Sequence, residues 1–485
     1  MRRAPAPDLT ITPQGSNKTL MTASRIPPGP KAHFLLGNLP EFRRDPLSFL
    51  SMCSRDYGDV VLIRVAHLKA YIFNHPDYIE EVLVTKNRSF IKDRTFRRRP
   101  FRLFFGNGLL TSEGDQWLRE RRLAQPAFHR DRLAIYAKAM VSYAERMMDN
   151  WREGETRDVH QDMMRLTLEV LTNTLFDTDV AHDAEEVAAA LEIVMDRFAP
   201  QGSLVRILDN YLPTLGWIRF QKAVRRLDEI IYRMTAKRRN RNEDRGDLLS
   251  MLLSARDDDG SGMTDQQLRD EALTLILAGH ETTALALSWA WYLLAQHPKV
   301  EAKLVEELQS MLGGRPPTTS DLPRLRYAES IIKESMRLYP PAWNIGRQAV
   351  SDTEIGGYYV PAGTQVYLSQ WAVHRDPRYY DNPEEFNPGR WTDGLAREAT
   401  SEVCVFSLRR RTSTMHRQFV CNDGSGDAAG LHRSTVPVGD CAQSHGHRLA
   451  LTNAPSKARN KSGPSQAIKS TPVPGRCQAK FPNRW

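Results

Sequence analysis

Size and charge set the first limits on this sequence. With 485 residues, 41% of them hydrophobic, the chain can form one large helical enzyme or about two to four domains of ordinary size. The net charge of +9 is confined to one end: residues 1–398 contain 54 Lys and Arg against 54 Asp and Glu, and residues 399–485 contain 13 against 4. A neutral body argues against nucleic acid and against an anionic membrane as its partner.

The cysteines and the N-terminus indicate a cytoplasmic protein. Only Cys53 lies within residues 1–398, which excludes a disulfide framework there and favours a reducing compartment. Residues 1–25 are polar and contain no apolar run. We therefore expect a disordered leader, with neither a signal peptide nor a transmembrane anchor.

The first part of the body predicts a short β hairpin followed by helices. Residues 26–30 (Ile-Pro-Pro-Gly-Pro) form a stiff, extended entry, because each proline fixes φ. Alternating apolar residues over 60–65 and 70–73 predict the hairpin. Apolar residues at three- and four-residue spacing predict helices near 133–152, 160–176, 184–198 and 219–239.

The longest helix begins after Thr264, a suitable N-cap, and ends near residue 295, before His297 and Pro298. Two further helices are predicted at about 300–312 and 327–339, and short strands at 358–360 and 365–368. The expected fold class is mainly α with a small β lobe. The segments near 80–105 and 195–220 are interpreted as loops that control substrate access.

The composition changes near Glu398. Residues 399–485 are dominated by Ser, Thr, Gly, Arg and Pro, contain four aromatic residues and show no periodicity. Such a segment buries too little apolar surface to offset the entropy of ordering it. We expect three regions: a leader (1–25), a folded body (26–398) and a disordered tail (399–485).

The longest helix carries an unusual polar motif at its middle, residues 278–283 (Ala-Gly-His-Glu-Thr-Thr). A glycine inside a helix costs about 1 kcal/mol relative to alanine, and it allows a flat group to approach the backbone closely. Glu281 and Thr282 would supply an acid and a hydroxyl at that point. The alternative is an ordinary helix with a packing glycine, which is equally favoured by this motif alone.

Two further motifs carry charged pairs. Glu334 and Arg337 face each other at i, i+3 on a helix, and Arg390 follows in a proline-rich loop, Phe-Asn-Pro-Gly-Arg-Trp. Trp117 and Arg121 lie one helical turn apart. Taken singly, each motif is better explained as an exposed ion pair or a basic helix face.

Taken in order, these motifs resemble those of the cytochrome P-450 family, over about residues 26–398. The resemblance implies a single helical fold holding haem b, with Thr282 and Glu281 delivering protons to dioxygen above the haem. It also implies a buried ionic triad and a set of haem contacts. The triad is Glu334, Arg337 and Arg390, and the haem contacts are Trp117, Arg121, Ala278, Gly279 and Arg347.

The activity implied by the resemblance is monooxygenation of an apolar small molecule. One atom of dioxygen would enter a C–H bond and the other would leave as water. No reductase domain follows the body, so the implied electron donor is a separate ferredoxin- or flavodoxin-type protein.

The sequence departs from the family where the axial cysteine belongs. The family needs Phe-x-x-Gly-x-Arg-x-Cys-x-Gly, whose thiolate binds the iron and favours O–O cleavage. None of the tail cysteines has that context: Cys404, Cys421, Cys441 and Cys477. The metal ligand is therefore missing, and we expect this chain to be inactive and to bind haem weakly. A zinc site at Cys441, His445 and His447 is disfavoured by poor spacing.

A shifted reading frame explains the missing loop. Met415 has the single codon ATG and every His416 codon begins with C, so the frame one nucleotide downstream reads TGC, cysteine. Suitable codons for residues 408–417 give Phe-Gly-Gly-Gly-Pro-Arg-Arg-Cys-Ile-Gly in that frame. The hypothesis is that one extra nucleotide near codons 398–399 makes residues 399–485 an out-of-frame product.

Two other interpretations stay open. The chain could be a non-catalytic, haem-free remnant or binding protein that keeps the pocket without the iron ligand. The basic tail could also bind nucleic acid, but it lacks the periodic basic face and interleaved aromatic residues that such binding needs.

Overall fold

The computed structural model describes residues 25–392, except positions 67, 129, 153, 177–180, 199–213, 242–246 and 258. The α-helices of this part are α1 (Leu39–Arg44), α2 (Pro46–Tyr57), α3 (Pro76–Glu80), α4 (Arg99–Phe105), α5 (Gly114–Ala124), α6 (Arg130–Asp149), α7 (Val159–Phe176), α8 (Ala181–Phe198), α9 (Leu215–Arg241), α10 (Leu248–Ser254), α11 (Asp265–Gln296), α12 (Pro298–Leu312), α13 (Arg326–Leu338), α14 (Gln370–Val373) and α15 (Gly389–Thr392). The strands are β1 (Val60–Val65), β2 (Leu68–Phe73), β3 (Phe90–Lys92), β4 (Ile345–Ala349), β5 (Thr353–Ile355), β6 (Tyr358–Val360) and β7 (Gln365–Leu368).

The small lobe is a mixed sheet with the strand order β1-β2-β7-β4-β3, accompanied by the two-stranded β5-β6 sheet. Strand β2 runs parallel to β7, and β4 runs antiparallel to both β7 and β3. This register sets Lys92 of β3 opposite Arg347 of β4. Two cations far apart in sequence are therefore neighbours across two strands.

Helix α11 is the axis of the helical part. A reciprocal capping box fixes its start: the Thr264 hydroxyl accepts from the Gln267 amide at 3.2 Å, and the Gln267 side chain accepts from the Thr264 amide at 2.9 Å. The helix packs against α7, α9 and α13, and its C-cap is His297, immediately before Pro298. Its apolar side chains join those of α8, α9 and α10 in the largest core cluster.

The structure confirms most of the predicted elements. The β1–β2 hairpin and the helices predicted from spacing all form, with bounds that move by about six residues or fewer. Helices α1 and α2 and strands β3 and β4 have no counterpart in the sequence prediction. Their segments are short or interrupted, so no period of 2 or 3.6 is sustained.

The interpretation of residues 80–105 as a loop is wrong. That segment contains a π-helical turn (Glu81–Thr85), strand β3 and helix α4. The tail (399–485) and residues 1–24 of the leader lie outside the described residues. Arg25, the last residue of the predicted leader, forms an isolated bridge with Tyr358 and so belongs with the fold. None of the described helices is long and apolar enough to cross a membrane.

Replacing Thr264 tests the cap of α11. Thr264→Ala removes the acceptor for the Gln267 amide and is expected to cost about 0.5–2 kcal/mol of unfolding free energy. Thr264→Ser keeps the hydroxyl and is the matched control. Urea unfolding followed by far-ultraviolet circular dichroism measures both. Equal stabilities for the two variants would show that the capping box does not stabilise α11.

Candidate functional site

The middle of α11 is only partly buried, since every residue from 277 to 283 except His280 is partly exposed. Leu275, Ala278, Thr282, Leu285 and Trp289 are partly exposed at a spacing of three and four residues, which puts them on one accessible stripe of the helix. Because α11 packs against α7, α9 and α13, partial exposure at its middle indicates an internal space between packed elements. The 278–283 motif therefore lies against such a space.

The polar residues of the motif have distinct surroundings. The Thr282 hydroxyl donates to the Ala278 carbonyl at 2.6 Å, which holds its side chain along the helix. Burial raises the pKa of the Glu281 carboxyl, so this group keeps a proton to a higher pH than an exposed glutamate. Thr282 thus offers a fixed hydroxyl, and Glu281 offers an acid suited to proton transfer.

Two more residues of the motif, Gly279 and His280, face α7. His280 is 4% exposed, and its Nε2 lies 3.0 Å from the Met164 carbonyl oxygen. A Cβ atom added to Gly279 would come 3.3 Å from Leu171 Cδ1. Close packing of α7 is therefore one reason for the glycine. The expectation that a flat group approaches Gly279 stays a prediction.

The structure brings the predicted ionic triad together around Glu334. Nε and Nη2 of Arg337 each donate to Glu334 at 2.9 Å, and Arg390 Nε donates to it at 2.8 Å. Arg337 and Glu334 are 0% exposed. Burial alone raises the pKa of Glu334, but hydrogen bonds from Arg337 and the charges of both arginines outweigh burial and hold it below its usual value.

Sequence reasoning missed the rest of this network. Trp391 Nε1 donates to Glu334 at 2.8 Å, and the Asn387 amide donates to it at 3.0 Å. Arg337 also donates to the backbone carbonyls of His374, Pro383 and Glu385. Trp391 and Asn387 stand in the same proline-rich motif as Arg390, which was the available signal.

A second cluster collects cations around one indole ring. The Arg121 guanidinium lies 5.3 Å and Lys92 Nζ lies 5.8 Å from the ring centroid of Trp117. The β3–β4 register adds Arg347 beside Lys92. The structure thus brings Arg347, which the sequence had linked to Trp117 and Arg121 only through the family resemblance, close to that pair. Lys92 was not predicted, because nothing in its local sequence marks it.

Two of these cations, Lys92 and Arg347, form no ion pair with a carboxylate of the described residues. Lys92 Nζ donates to the Leu109 carbonyl at 2.8 Å, and Arg347 Nη1 donates to the Gly346 carbonyl at 2.9 Å. Desolvation lowers the pKa of Lys92 to about 8 and that of Arg347 to about 10. Two desolvated cations side by side favour an added group that carries carboxylates.

A pair of buried acids lies close to the same cluster. Glu271 of α11 is 0% exposed and Glu120 of α5 is 1% exposed. Gln267 Nε2 donates to Glu120 Oε1 at 2.7 Å, whereas neither Glu271 oxygen has a hydrogen-bond partner of normal geometry within the part of the chain that the structure describes. Burial, followed by the charge of Glu120, raises the pKa of Glu271 to about 8. Glu271 is therefore largely protonated at neutral pH.

Comparison with known proteins agrees with this arrangement. The model of the cytochrome P450 family matches residues 27–407. The chain is 38% identical to cyclooctatin synthase of Streptomyces melanosporofaciens, over 76% of this chain and 80% of that protein. It is 37% identical to cyclooctat-9-en-7-ol 5-monooxygenase of the same organism, over 78% and 84%. It is 36% identical to pentalenene oxygenase of Streptomyces avermitilis, over 79% and 87%.

Removing Arg337 tests the buried triad. Arg337→Met leaves the Glu334 charge buried with one partner fewer, and a loss of about 3–5 kcal/mol of unfolding free energy is expected. The matched control is Lys333→Met, which breaks the half-exposed Lys333–Glu329 pair of the same helix. That change should cost less than about 0.5 kcal/mol. Similar losses from both changes, measured by urea unfolding, would contradict a special role for the buried pair.

Glu271 predicts a pH dependence of stability. Its pKa in the folded protein, about 8, lies above the ordinary value of 4.5 that applies to the unfolded chain. The stability it contributes is therefore complete below about pH 4.5 and is lost as the pH rises through about 8.

The variant Glu271→Gln should accordingly be more stable than the parent at pH 8, by about 1–3 kcal/mol, and should lose less stability between pH 5 and pH 8. Glu306→Gln, at an exposed position of α12, is the control for the loss of one carboxylate. Thermal unfolding across the pH series measures the effect. Parallel pH profiles of the unfolding temperature for the parent and Glu271→Gln would refute this prediction.

Proposed function

This chain belongs to the cytochrome P450 family, and we propose that its body is built as a haem-dependent monooxygenase of apolar substrates. The observation that carries the proposal is the accessible stripe of α11, which presents Ala278 and Thr282 to an internal space. A flat cofactor and a substrate would share that space. The buried Glu334 network would fix the segments on its other side.

The residues present fit haem b. Carboxylate side chains of the haem would meet the desolvated cations Lys92 and Arg347, together with Arg121 beside Trp117. Ala278 and Gly279 would lie against its face. When bound through a cysteine thiolate, haem supplies the activation of dioxygen and the transfer of one oxygen atom into a C–H bond.

Glu281 and Thr282 would manage the protons of this reaction. The raised pKa of the Glu281 carboxyl lets it hold a proton to a higher pH than an exposed glutamate does and release it at its side-chain oxygen. The Ala278 carbonyl orients the Thr282 hydroxyl, which would pass that proton toward the internal space or stabilise it there. Arg337, Arg390 and Glu334 would act structurally.

The substrate is proposed to be a carbocyclic hydrocarbon or alcohol. The similar proteins include a cyclooctat-9-en-7-ol monooxygenase and a pentalenene oxygenase, names that denote a cyclic alkenol and an alkene. Phe101 of α4 stacks on Phe198 of α8 with ring centroids 4.4 Å apart, and Phe105 lies 5.8 Å from Phe198. These rings pack within the largest apolar core cluster, so the proposed substrate class rests on the similar proteins.

The remaining partners follow from the chemistry. Dioxygen is the second substrate, and a separate ferredoxin- or flavodoxin-type protein would deliver electrons. The neutral body supports a function without nucleic acid. The single cysteine of residues 1–398 supports a cytoplasmic location.

We further propose that this chain is inactive as written, because residues 393–485 contain no cysteine in the family's loop pattern. The frameshift hypothesis accounts for the loss, since the downstream frame at Met415 and His416 reads cysteine. The family match ends at residue 407, beyond codons 398–399 and before Met415. The alternative is a haem-free remnant that binds an apolar ligand without reacting with it.

A reduced, carbon monoxide-treated absorption spectrum separates these proposals. The protein as written is expected to bind haem weakly and to lack the red-shifted band of thiolate-ligated haem. The product of a gene with one base removed near codons 398–399 is expected to show that band at stoichiometric haem. If the chain with its present sequence showed the red-shifted band, the proposed inactivity would be contradicted. If the repaired protein were colourless, the proposed monooxygenase function would be contradicted.

The proton-handling residues are tested in the repaired protein. Thr282→Ala should lower the yield of oxidised product per electron pair consumed by about 10-fold or more, because a positioned proton donor typically contributes about 10²–10⁴-fold. The matched control is Thr283→Ala, at the neighbouring position of α11. Oxygen consumption and product are measured together. An equal yield of oxidised product per electron pair in the two variants would show that Thr282 has no role in the mechanism.

A further inference from the structure

The buried acid pair formed by Glu271 and Glu120 lies at one end of the accessible stripe of α11. Glu271 precedes Ala278 by seven residues and Thr282 by eleven, so all three side chains project from the same face of the helix. Glu271 is 0% exposed, whereas Ala278 and Thr282 are partly exposed. The acid pair therefore adjoins the proposed haem site, but the proton handling assigned to Glu281 and Thr282 does not use it.

Gln267 holds the two acids against each other. It precedes Glu271 by one helical turn, and its Nε2 donates to Glu120 Oε1 at 2.7 Å. The same side chain accepts from the Thr264 amide at 2.9 Å and is thereby anchored in the cap of α11. Among the described residues, Glu120 Oε2 and both oxygens of Glu271 have no hydrogen-bond partner of normal geometry. Three buried carboxyl oxygens are thus left without a donor, although buried polar groups are normally paired.

One shared proton supplies part of this missing pairing, and the surroundings assign it to Glu271. Burial raises the pKa of Glu120, but the Gln267 hydrogen bond and the charge of Arg119, whose Nη1 lies 3.9 Å from Glu120 Oε1, oppose that rise. Burial and then the charge of Glu120 raise the pKa of Glu271 to about 8. At neutral pH, Glu120 is therefore the ionised member of the pair and Glu271 the neutral one.

The backbone of Leu109 connects the acid pair to the cations of the proposed haem site. Its amide lies beside Glu271 and opposes the rise in pKa that burial causes, and its carbonyl accepts from Lys92 Nζ at 2.8 Å. The β3–β4 register places Lys92 opposite Arg347. The acids and the cations therefore belong to one electrostatic cluster. Other charged groups act on this cluster from the neighbouring segments, namely Asp93, Glu113, Arg119, Asp257 and Asp270.

We propose that Glu271 is a positioning residue for the haem carboxylates, and that a porphyrin and one proton bind to this cluster together. The inference rests on the proposed haem function and adds control of that site by pH. Two carboxylates placed against Lys92 and Arg347 would bring negative charge close to Glu271, which favours its neutral form. A neutral Glu271 can donate a hydrogen bond, whereas an ionised Glu271 repels the incoming group. Wherever Glu271 is ionised before binding, one proton from solvent adds to its carboxylate as the porphyrin binds.

This coupling sets the direction of the pH effect. The pKa of Glu271 is about 8 without porphyrin, and bound carboxylates raise it further. The affinity for porphyrin carboxylates is therefore constant well below pH 8 and falls above it, by up to about 10-fold for each pH unit. Lys92 acts in the same direction, because its pKa of about 8 also rises beside bound carboxylates. The variant Glu271→Gln keeps Lys92 and so isolates the contribution of Glu271.

The experiment measures the binding of metal-free protoporphyrin IX and of its dimethyl ester to the full chain, by quenching of tryptophan fluorescence at pH 7 and pH 9. Neither ligand needs the missing cysteine, and the ester lacks the carboxylates. The quantity compared is the ratio of diacid affinity to ester affinity, which cancels a change in folding. From pH 7 to pH 9 this ratio should fall about 10-fold more in the parent than in Glu271→Gln, which is neutral at both pH values.

Proton uptake gives a second readout. In weakly buffered solution at pH 9, the parent should take up about half a proton or more per bound diacid beyond the uptake by Glu271→Gln. The matched control is Glu306→Gln, which removes an exposed carboxylate of α12 and should follow the parent in both measurements.

The outcomes separate this inference from the proposed function. Suppose that the diacid is preferred over the ester at pH 7, but the affinity ratio or the proton uptake responds to pH equally in the parent and Glu271→Gln. That result overturns the role of Glu271 and leaves the haem site intact. A diacid that binds no better than its ester at pH 7 contradicts the contact of haem carboxylates with Lys92 and Arg347, and it overturns both proposals.

Discussion

One buried carboxylate organises the part of the chain that precedes the missing loop. Glu334 on α13 accepts hydrogen bonds from Arg337, Arg390, Trp391 and the Asn387 amide, with every donor–acceptor distance at 3.0 Å or less. A charge buried this deeply is tolerated only when it is fully paired, so the chain from α14 to α15 must return to α13. That return fixes the position of α15, which ends at Thr392, the last described residue.

The other side of the proposed haem site depends on α11 and the sheet. The capping box at Thr264 and the packing of α7 fix the helix, so that Ala278 and Thr282 meet the internal space with little freedom. The β3–β4 register supplies Lys92 and Arg347, and α5 supplies Trp117 and Arg121. The cationic residues repel one another and lose solvation in the folded chain. A bound group with carboxylates would relieve that cost, which is the physical reason to associate these elements with haem.

Much of the helical part was predictable because its periodic apolar faces extend over many residues, as in α6, α7, α9 and α11. Glu334 and Arg337 were predictable as a pair because they stand one turn apart on α13. Lys92 was not, because its role comes from a strand register that joins residues 255 positions apart. The sequence predicts an ordinary acidic residue on a helix at Glu271, because sequence cannot show that this side chain is buried against Glu120. The exposure of the turn at 33–37 was not predicted, because an apolar run in a sequence predicts burial. Only the structure shows that these side chains are exposed.

The proposed function requires an axial cysteine thiolate, and residues 393–485 contain no cysteine in the family's loop pattern. The most direct measurement is the nucleotide sequence across codons 395–420. The frameshift hypothesis predicts that the frame one nucleotide downstream encodes Phe-Gly-Gly-Gly-Pro-Arg-Arg-Cys-Ile-Gly over the codons of residues 408–417, followed by an open reading frame. Codons that place other residues around the forced cysteine, or a stop codon in that frame just after it, would contradict the account.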